Sequence, residues 1–385
     1  MARVALVHDW LTGMRGGERC LEAFCELLPD ADLFTLVHFK GSVSPVIENR
    51  RIRTSFLDRL PVLRKKYRAL LPLYPFAIES MDLTPYDVVV SLSHCVAKGV
   101  ITRPDARHVC YCFTPVRYLW DMYHHYFPAE RLGVLARRIV PATATFLRAW
   151  DVTSSRRVDR IIAISRYVKE RIRKVWGREA EVLHPPVDMR RFSPAKERGD
   201  YFLMVTAFAP YKRVDLAIRA FKTLGLPLKI VGTGQEEARL RRAAPANVEF
   251  LGWKPDEEVA SLYARARAFV FPGEEDFGIT PLEAQASGRP VIAFARGGAL
   301  ETVVPDGDFS RPSGTDTAES PPTGVLFPEQ TPASLASAVR HFDEREDRFD
   351  DPGPMVQNAK RFALERFREN IGNVLREEGA LGNAE

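Results

Sequence analysis

Short apolar runs closed by Gly, Pro or polar clusters alternate along this chain with longer segments whose apolar residues recur at helical spacing. The runs Arg3 to His8, Leu33 to His38, Tyr86 to Ser93, Arg107 to Cys112 and Arg160 to Ser165 have the character of buried parallel strands. The rhythm restarts with Tyr201 to Thr206, Leu228 to Val231, Val248 to Leu251, Ala268 to Phe271 and Pro290 to Phe294. Helical spacing fills the intervals: from Gly16, with Leu21, Phe24, Cys25 and Leu28 on one face, over Leu132 to Ser155, and from Ser165. Further helices begin near Val214, Gln235 and Asp256, and another spans Met355 to Glu378. Such alternation predicts doubly wound parallel sheets. The charged, proline-containing stretch Ser193 to Arg198 divides the two series. We therefore expect domains at 1–195 and 196–362, with a terminal helix over 363–385.

One stretch carries the most chemistry, Phe269 to Pro290, FVFPGEEDFGITPLEAQASGRP. A buried strand ends at Pro272-Gly273, an acidic loop follows, and a helix begins with Thr280 as its expected N-cap, Pro281 at the first helical position and Glu283 closing a capping box. Gly288 and Pro290 stop it. A helix start at the carboxyl edge of a sheet offers N–H groups and partial positive charge to a phosphate. Glu275 and Glu283 flank that start, with seven residues between them.

The string E-x-F-G-I-x-x-x-E-A-x-A-x-G-x-P-V, from Glu275 to Val291, closely resembles the signature of retaining nucleotide-sugar glycosyltransferases of family 4. The resemblance implies the α/β GT-B fold: two Rossmann-like domains facing across a cleft, the last helix crossing back to the N-terminal domain. It implies that Glu283 binds the ribose hydroxyls, that Glu275 faces the donor sugar, and that Phe277, Gly278, Ile279 and Thr280 meet the sugar and diphosphate. Lys212, in TAFAPYKRVDLAI, stands where the family neutralises the diphosphate, with Arg213 beside it. Many relatives carry an Arg five residues earlier, where this chain has Ala207. Gly232 and Gly234 form a tight turn where relatives contact phosphate or sugar, and Trp253-Lys254 match the loop that holds the base. Gly16-Gly17, in HDWLTGMRGGE, fall in the loop that closes over the diphosphate, and this stretch is similar to a bacterial mannosyltransferase-like branch. The segment Leu183 to Asp188 resembles the family's hinge-proximal P-P-V-D.

In the first domain, His94 and Lys98 follow a strand at the edge where ligands of such sheets lie. His94 joins Glu275 and Lys212 as a catalytic candidate, and Asp9, Lys98 and Arg117 are assigned to the acceptor side. Many relatives have histidine where this chain has Phe113. The aromatic run Trp120 to Phe127 is either an acceptor surface or a packed loop. Residues 51–75 carry seven basic residues against one acidic in their first 18, interleaved with leucines and aromatics. A basic helix with an apolar face lies either on an anionic membrane or on the protein's own core.

Composition narrows the picture. At 385 residues two domains are the prior, and the net charge of +5 is mild, so no nucleic acid is expected as a partner. No run approaches a membrane span, and MARVALVHDW has the pattern of a first strand rather than a signal peptide. Five cysteines, all in apolar runs of the first third, suit reduced thiols of a cytoplasmic protein, at the inner face of the plasma membrane if the basic stretch binds lipid. Cys110-x-Cys112 has no second pair at zinc spacing, and neither metal nor cofactor is expected. Pro305 to Gly324 has the composition of a surface insertion.

The expected function is transfer of a sugar from a nucleotide diphosphate, by resemblance mannose from GDP-mannose, to a hydroxyl of a glycan or lipid-linked acceptor. A UDP-sugar donor and a non-catalytic nucleotide-sugar binder are the alternatives. A dinucleotide oxidoreductase is disfavoured, because the first strand is not followed by G-x-G-x-x-G and a later acidic residue.

Overall fold

The computed structural model describes residues 2–59, 67–127, 133, 136–307 and 321–382. It divides into two compact units, one running to His184 and including the segment from Phe367, the other spanning Pro185–Arg366.

The N-terminal unit is built on a seven-stranded sheet in the order β3-β2-β1-β4-β5-β6-β7. Its strands are β1 Val4–His8, β2 Asp32–Thr35, β3 Ile52–Thr54, β4 Val88–Ser93, β5 Arg107–Cys112, β6 Arg160–Ala163 and β7 Glu181–Val182, all paired in parallel. Every residue of β1 and β4 is buried, as befits central strands covered on both faces. Strand order reverses between β1 and β4, and the loops leaving those strands part there.

Two elements differ from expectation. The basic stretch 51–75 is not one helix: Ile52–Thr54 joins the sheet edge beside β2, followed by 3-10 turns at Phe56–Arg59 and Tyr67–Leu73. Residues 60–66 of it lie outside the described residues. The terminal helical pattern is likewise two helices, Gly353–Lys360 and Leu364–Glu377. The break between them supplies backbone partners to Val187, whose N–H donates to Phe362 O (2.8 Å) and whose carbonyl accepts from Leu364 N–H (3.1 Å).

The second of these helices carries the chain into the N-terminal unit. Phe367 is buried there against Phe24 and Tyr111, with ring centroids 6.0 and 5.7 Å away. Glu377 and Glu378 pair with Arg160 at 2.7 and 3.3 Å, and Glu378 with Arg107 at 2.8 Å.

The C-terminal unit has a six-stranded parallel sheet ordered β10-β9-β8-β11-β12-β13. Its strands are β8 Phe202–Val205, β9 Leu228–Val231, β10 Val248–Gly252, β11 Phe269–Phe271, β12 Val291–Phe294 and β13 Gly324–Phe327. Phe202, Phe221, Phe342 and Phe349 lie in its core. Here the order reverses between β8 and β11. The flanks of the expected insertion are held in place: Asp306 N–H donates to Gly324 O (2.8 Å), and the buried Asp306 carboxylate meets Arg348, Arg345 and His341. Residues 308–320 lie outside the described residues.

Truncating Phe367 to alanine opens a cavity at the Phe24–Tyr111 contact. We expect a loss of about 3–5 kcal/mol in the unfolding of the N-terminal unit, read by denaturant titration, with early amide exchange over 367–380. Exchange as slow as in the parent would show that the helix does not depend on this anchor.

Candidate functional site

In the C-terminal unit the loops leaving β8 and β11 meet where the strand order reverses. Lys212, at the end of the 3-10 turn Pro210–Lys212, places Nζ 2.5 Å from Glu275 Oε2, with both side chains about one-fifth exposed or less. The two loops touch through backbone as well. A Cβ on Gly273 would lie 3.1 Å from the Tyr211 carbonyl and 3.2 Å from Lys212 Cα.

The helix beyond Glu275 runs Ile279–Ala286, and its N-cap is Gly278 rather than Thr280. The chain turns at Gly278 with φ +91°, and a Cβ there would press the Phe271 ring at 3.1 Å. Thr280 and Pro281 therefore sit inside the first turn, where N–H groups lack intrahelical partners and proline is tolerated. Gly278 has no side chain with which to cap this end, and the start of the helix carries the partial positive charge of its first-turn N–H groups. Phe277, in contrast, is buried and packs edge-on against Phe362 at 5.6 Å. Glu283 lies one turn along, half-buried, its Oε2 accepting from the Tyr263 hydroxyl at 3.1 Å. Tyr263 is fully buried, and burial together with the Glu283 carboxylate pushes its phenol well above the ordinary range.

A glycine pair that the sequence reading left without a role fixes this loop. Gly298 N–H donates to Glu275 O at 2.9 Å. A Cβ on Gly297 would meet that same oxygen at 2.2 Å, and one on Gly298 would meet the Phe277 carbonyl at 2.0 Å. The signal was present as a Gly-Gly after an apolar strand, matching the pair at Gly16-Gly17.

The other donor-side candidates fall into different groups. Gly232 and Gly234 lie on the backbone of the loop after β8, where a Cβ would approach Thr206 O to 1.8 Å and Phe208 N to 2.7 Å. Trp253 follows β10 and is 75 % exposed, while Lys254 pairs with Glu258 at 2.8 Å. Arg213 does not join Lys212. It adopts φ 54°, the one positive φ among described non-glycine residues, and its guanidinium donates to Gln330 Oε1 at 2.7 Å. Gln330 in turn donates to Pro272 O at 3.0 Å, so Arg213 braces the Glu275 loop from behind.

The N-terminal unit repeats the arrangement at its own reversal. Asp9, after β1, is fully buried, and His94, after β4, places Nδ1 2.9 Å from Asp9 Oδ2. The Asp9 carboxylate also accepts from the backbone N–H groups of His94, Cys95, Val96 and Ala97 at 2.6–2.9 Å. Burial opposes its charged form, but His94 and these donors outweigh burial and hold the acid far below its ordinary value. For His94, burial again opposes charge, and the Asp9 carboxylate prevails, raising the imidazole above its ordinary 6.5. Asp9 is thus a positioning group for His94 and its loop, not a group open to an acceptor.

Around this pair lie residues the sequence reading did not single out. His8 is fully buried, its Nε2 4.0 Å from Glu18 Oε1, and burial together with His94 lowers it to about 4. Glu18 is itself buried, which raises its carboxyl, and its Oε2 accepts from Arg15 N–H at 3.1 Å at the start of the helix Gly16–Leu27. Gly16 opens that helix. A Cβ on Gly17 would reach His8 and Phe113 at 3.6 Å, an ordinary contact. The Phe113 ring sits 6.4 Å from His94 and 5.5 Å from Tyr111.

Lys98 is no acceptor-side group. It is fully buried, with Nζ 3.0 Å from Asp151 Oδ1 and 2.6 Å from Ser154 Oγ, between the rings of Trp150 and Trp176. Trp120 and Trp176 N–H groups satisfy the other Asp151 oxygen at 2.9 and 2.8 Å. The aromatic run Trp120 to Phe127 is correspondingly packed in part, with Arg148 over the Trp120 and Tyr123 rings. Arg117 is mostly buried and lies 3.9 Å from Asp121, which pairs with Arg171 at 3.0 Å. Among the described residues no cluster of three His, Cys, Asp or Glu side chains is arranged to hold a metal ion.

Two Rossmann-like units, each with loops parting at the reversal of its strand order, are the architecture of the GT-B class of glycosyltransferase folds. Sucrose-phosphate synthase of Thermosynechococcus elongatus aligns over 99 % of this chain and 100 % of its own, with TM-score 0.71 at 18 % identity. Anabaena HepE in complex with UDP aligns over 97 % and 100 %, with TM-score 0.68 at 16 % identity. At such identities the likeness shows the fold alone. The chain belongs to glycosyltransferase family 4: the family model of that name matches residues 14–191, and the model of group 1 glycosyl transferases matches residues 188–378. The chain is 32 % identical to a GDP-mannose-dependent alpha-(1-6)-phosphatidylinositol monomannoside mannosyltransferase of Mycolicibacterium smegmatis, over 56 % of this chain and 67 % of the relative. It is 34 % identical to a GDP-mannose-dependent alpha-mannosyltransferase of Mycobacterium tuberculosis, over 60 % of this chain and 57 % of the relative. Two other relatives are matched over less than half of their length, 43 % and 47 %.

Lys98→Met strands a buried carboxylate and should destabilise the N-terminal unit by about 3–5 kcal/mol in denaturant titration, with Lys98→Met/Asp151→Asn recovering much of the loss. Nucleotide affinity should not change in either. A destabilised single variant with no recovery in the double would contradict the pairing.

The histidines give opposing pH slopes. A raised His94 adds stability that is complete below its ordinary 6.5 and fades as pH climbs through the raised value. His8 and His108, lowered by burial to about 4 and about 3, lose stability as pH falls from 6.5 toward those values. Ring NMR should find His94 titrating above 6.5 and the other two neutral at about pH 5. Titration of His8 near 6.5 would contradict the burial assigned to it.

Proposed function

We propose that the protein is a retaining, metal-independent mannosyltransferase that moves mannose from GDP-mannose to a hydroxyl of a glycan or lipid-linked acceptor. The observation that carries this reading is the Lys212–Glu275 contact beside an uncapped helix start. A cation, a carboxylate and the first-turn N–H donors of a helix at one sheet reversal are the groups a nucleotide diphosphate sugar requires. Lys212 and the helix start hold the diphosphate, Glu275 faces the sugar, and Glu283, oriented by Tyr263, takes the ribose hydroxyls. In the reaction the bond from the anomeric carbon to the β-phosphate oxygen breaks, and the acceptor oxygen bonds that carbon on the same face. The acceptor proton passes to the departing phosphate. The GDP-mannose dependence of the two mycobacterial relatives supports the donor assignment. His94, held by Asp9 and next to Phe113, is the N-terminal unit's catalytic candidate. A lipid-linked acceptor suits a protein met at the inner face of the plasma membrane, with the basic stretch 51–75 toward anionic lipid.

A non-catalytic nucleotide-sugar binder is the second reading. Phe113 favours it, because its ring packs on Tyr111 and His8 where many relatives have an imidazole.

Calorimetry with GDP, UDP and their sugars should rank GDP-mannose first. Glu283→Ala should weaken donor binding about 10- to 100-fold, the scale of a hydrogen bond to a charged group. Lys212→Ala should lower kcat by about 100-fold or more through lost stabilisation of the leaving diphosphate. Unchanged affinity and turnover in Glu283→Ala would remove the ribose assignment. Donor binding with neither transfer nor slow hydrolysis would favour the binder.

A further inference from the structure

Three polar side chains meet in the interior of the C-terminal unit, where apolar groups of the same shape would serve stability about as well. Gln285 lies on the helix that carries Glu283, Thr302 ends the helix Ala299–Thr302, and Asn358 lies on the helix Gly353–Lys360; all three are buried. Gln285 Nε2 donates to Thr302 O at 2.8 Å. Asn358 Nδ2 donates to the same oxygen at 2.8 Å and to Gln285 Oε1 at 2.6 Å. Arg361 Nη1 donates to Asn358 Oδ1 at 2.8 Å. A guanidinium can only donate, so it fixes which way the Asn358 amide faces, and that amide fixes Gln285 in turn.

Both ends of this relay reach a carboxylate of the donor site. Thr302 Oγ1 donates to Gly298 O at 3.0 Å, and Gly298 N–H donates to Glu275 O at 2.9 Å. At the other end Gln285 stands two residues beyond Glu283 on one helix. The helix Gly353–Lys360 follows that helix along its length. A Cβ on Gly288 would meet Pro352 Cβ at 2.6 Å, Asn358 bonds Gln285, and Phe362 packs on Phe277. Numbering rises along one element as it falls along the other, so the two lie antiparallel. Apolar contacts tolerate sliding, whereas two amides converging on one carbonyl do not, because hydrogen bonds weaken steeply with angle.

We propose that Gln285 and Asn358 are positioning residues of the donor site: with Thr302 they set the separation of Glu275 from Glu283, so that the sugar and the ribose of one donor are gripped together. The inference rests on the roles that the transferase reading gives to those two carboxylates. Both amides are buried and act through the Gly298 N–H on one side and the helix backbone on the other. A displacement of about 1 Å in such a constellation costs on the order of 100-fold in rate, which is why a directional network is suited to this place.

The test compares the full chain with two variants. Gln285→Met/Asn358→Leu exchanges both amides for apolar groups of similar size. Thr302→Val removes one hydroxyl and keeps the bond from Thr302 N–H to Gly298 O (3.1 Å), so it decides the matter if the double variant does not fold. Calorimetry with GDP, transfer kinetics with GDP-mannose and amide exchange are read on each, below its melting temperature. The double variant should lose about 10- to 100-fold in kcat. Its GDP affinity should stay within about threefold of the parent's, since Tyr263 still holds Glu283. Thr302→Val should lose about threefold in kcat with GDP affinity unchanged. In both, the Gly298 amide should exchange faster than in the parent while β11 stays protected. Folded variants that turn over as fast as the parent would overturn the proposal and leave the network a structural one. So would a loss of GDP affinity as large as the loss of kcat, or an unchanged Gly298 exchange rate. A parent that binds no GDP or transfers no sugar would count against the transferase reading instead, and Gly298 exchange would then judge the relay by itself.

Discussion

In each unit a carboxylate and a base join the two loops that part where the strand order reverses: Asp9 with His94, and Glu275 with Lys212. A doubly wound sheet must send the loops on either side of its reversal apart, which creates a crevice and also leaves two flexible segments there. An ion pair across that opening fixes both segments. The solutions differ in how open they are. Asp9 is buried and consumed by four backbone N–H groups and an imidazole, so it organises the loop. Lys212 and Glu275 remain partly exposed.

Glycine sets the precision of the second arrangement. The backbone of Gly297-Gly298 lies against that of Glu275 and Phe277 at separations no Cβ permits, and Gly273 lies so close to Lys212 that a Cβ would have to push it aside. Arg213 reinforces this from the far side through Gln330, in a left-handed conformation unfavourable for arginine and maintained by what its side chain binds. The loop that carries Glu275 is therefore held by backbone on one face and by a side-chain relay on the other.

Most of the strands were legible because central parallel strands are continuous apolar runs with clear punctuation. The edges were not. β3 is Ile-Arg-Thr inside a basic stretch, β7 is a two-residue pairing, and β13 follows the insertion with little flanking pattern. Thr280 was assigned the cap because its residue type and the spacing to Glu283 satisfy a local rule. The helix starts two residues earlier because the turn at Gly278 must clear Phe271, a tertiary demand that spacing does not reveal. Lys212 and Glu275 were each assigned to the donor by motif, but their contact depends on β8 lying beside β11, which no motif states. Lys98 was misassigned for the converse reason: its place after β4 suggested a ligand edge, but Asp151 lies far along the chain and only packing brings it near. His8 and Glu18 carry no such motif, and their importance emerges from burial.

The aromatic contact of Phe367 with Phe24 and Tyr111 has a consequence for biogenesis. The N-terminal unit draws part of its interior from a segment that leaves the ribosome after the whole of the other unit. Domains usually complete themselves in the order of their synthesis. Here the first-made sheet waits, its Phe24–Tyr111 surface uncovered, until translation has passed the second. Nascent chains stalled short of that helix would therefore be the ones most exposed to chaperones and proteases.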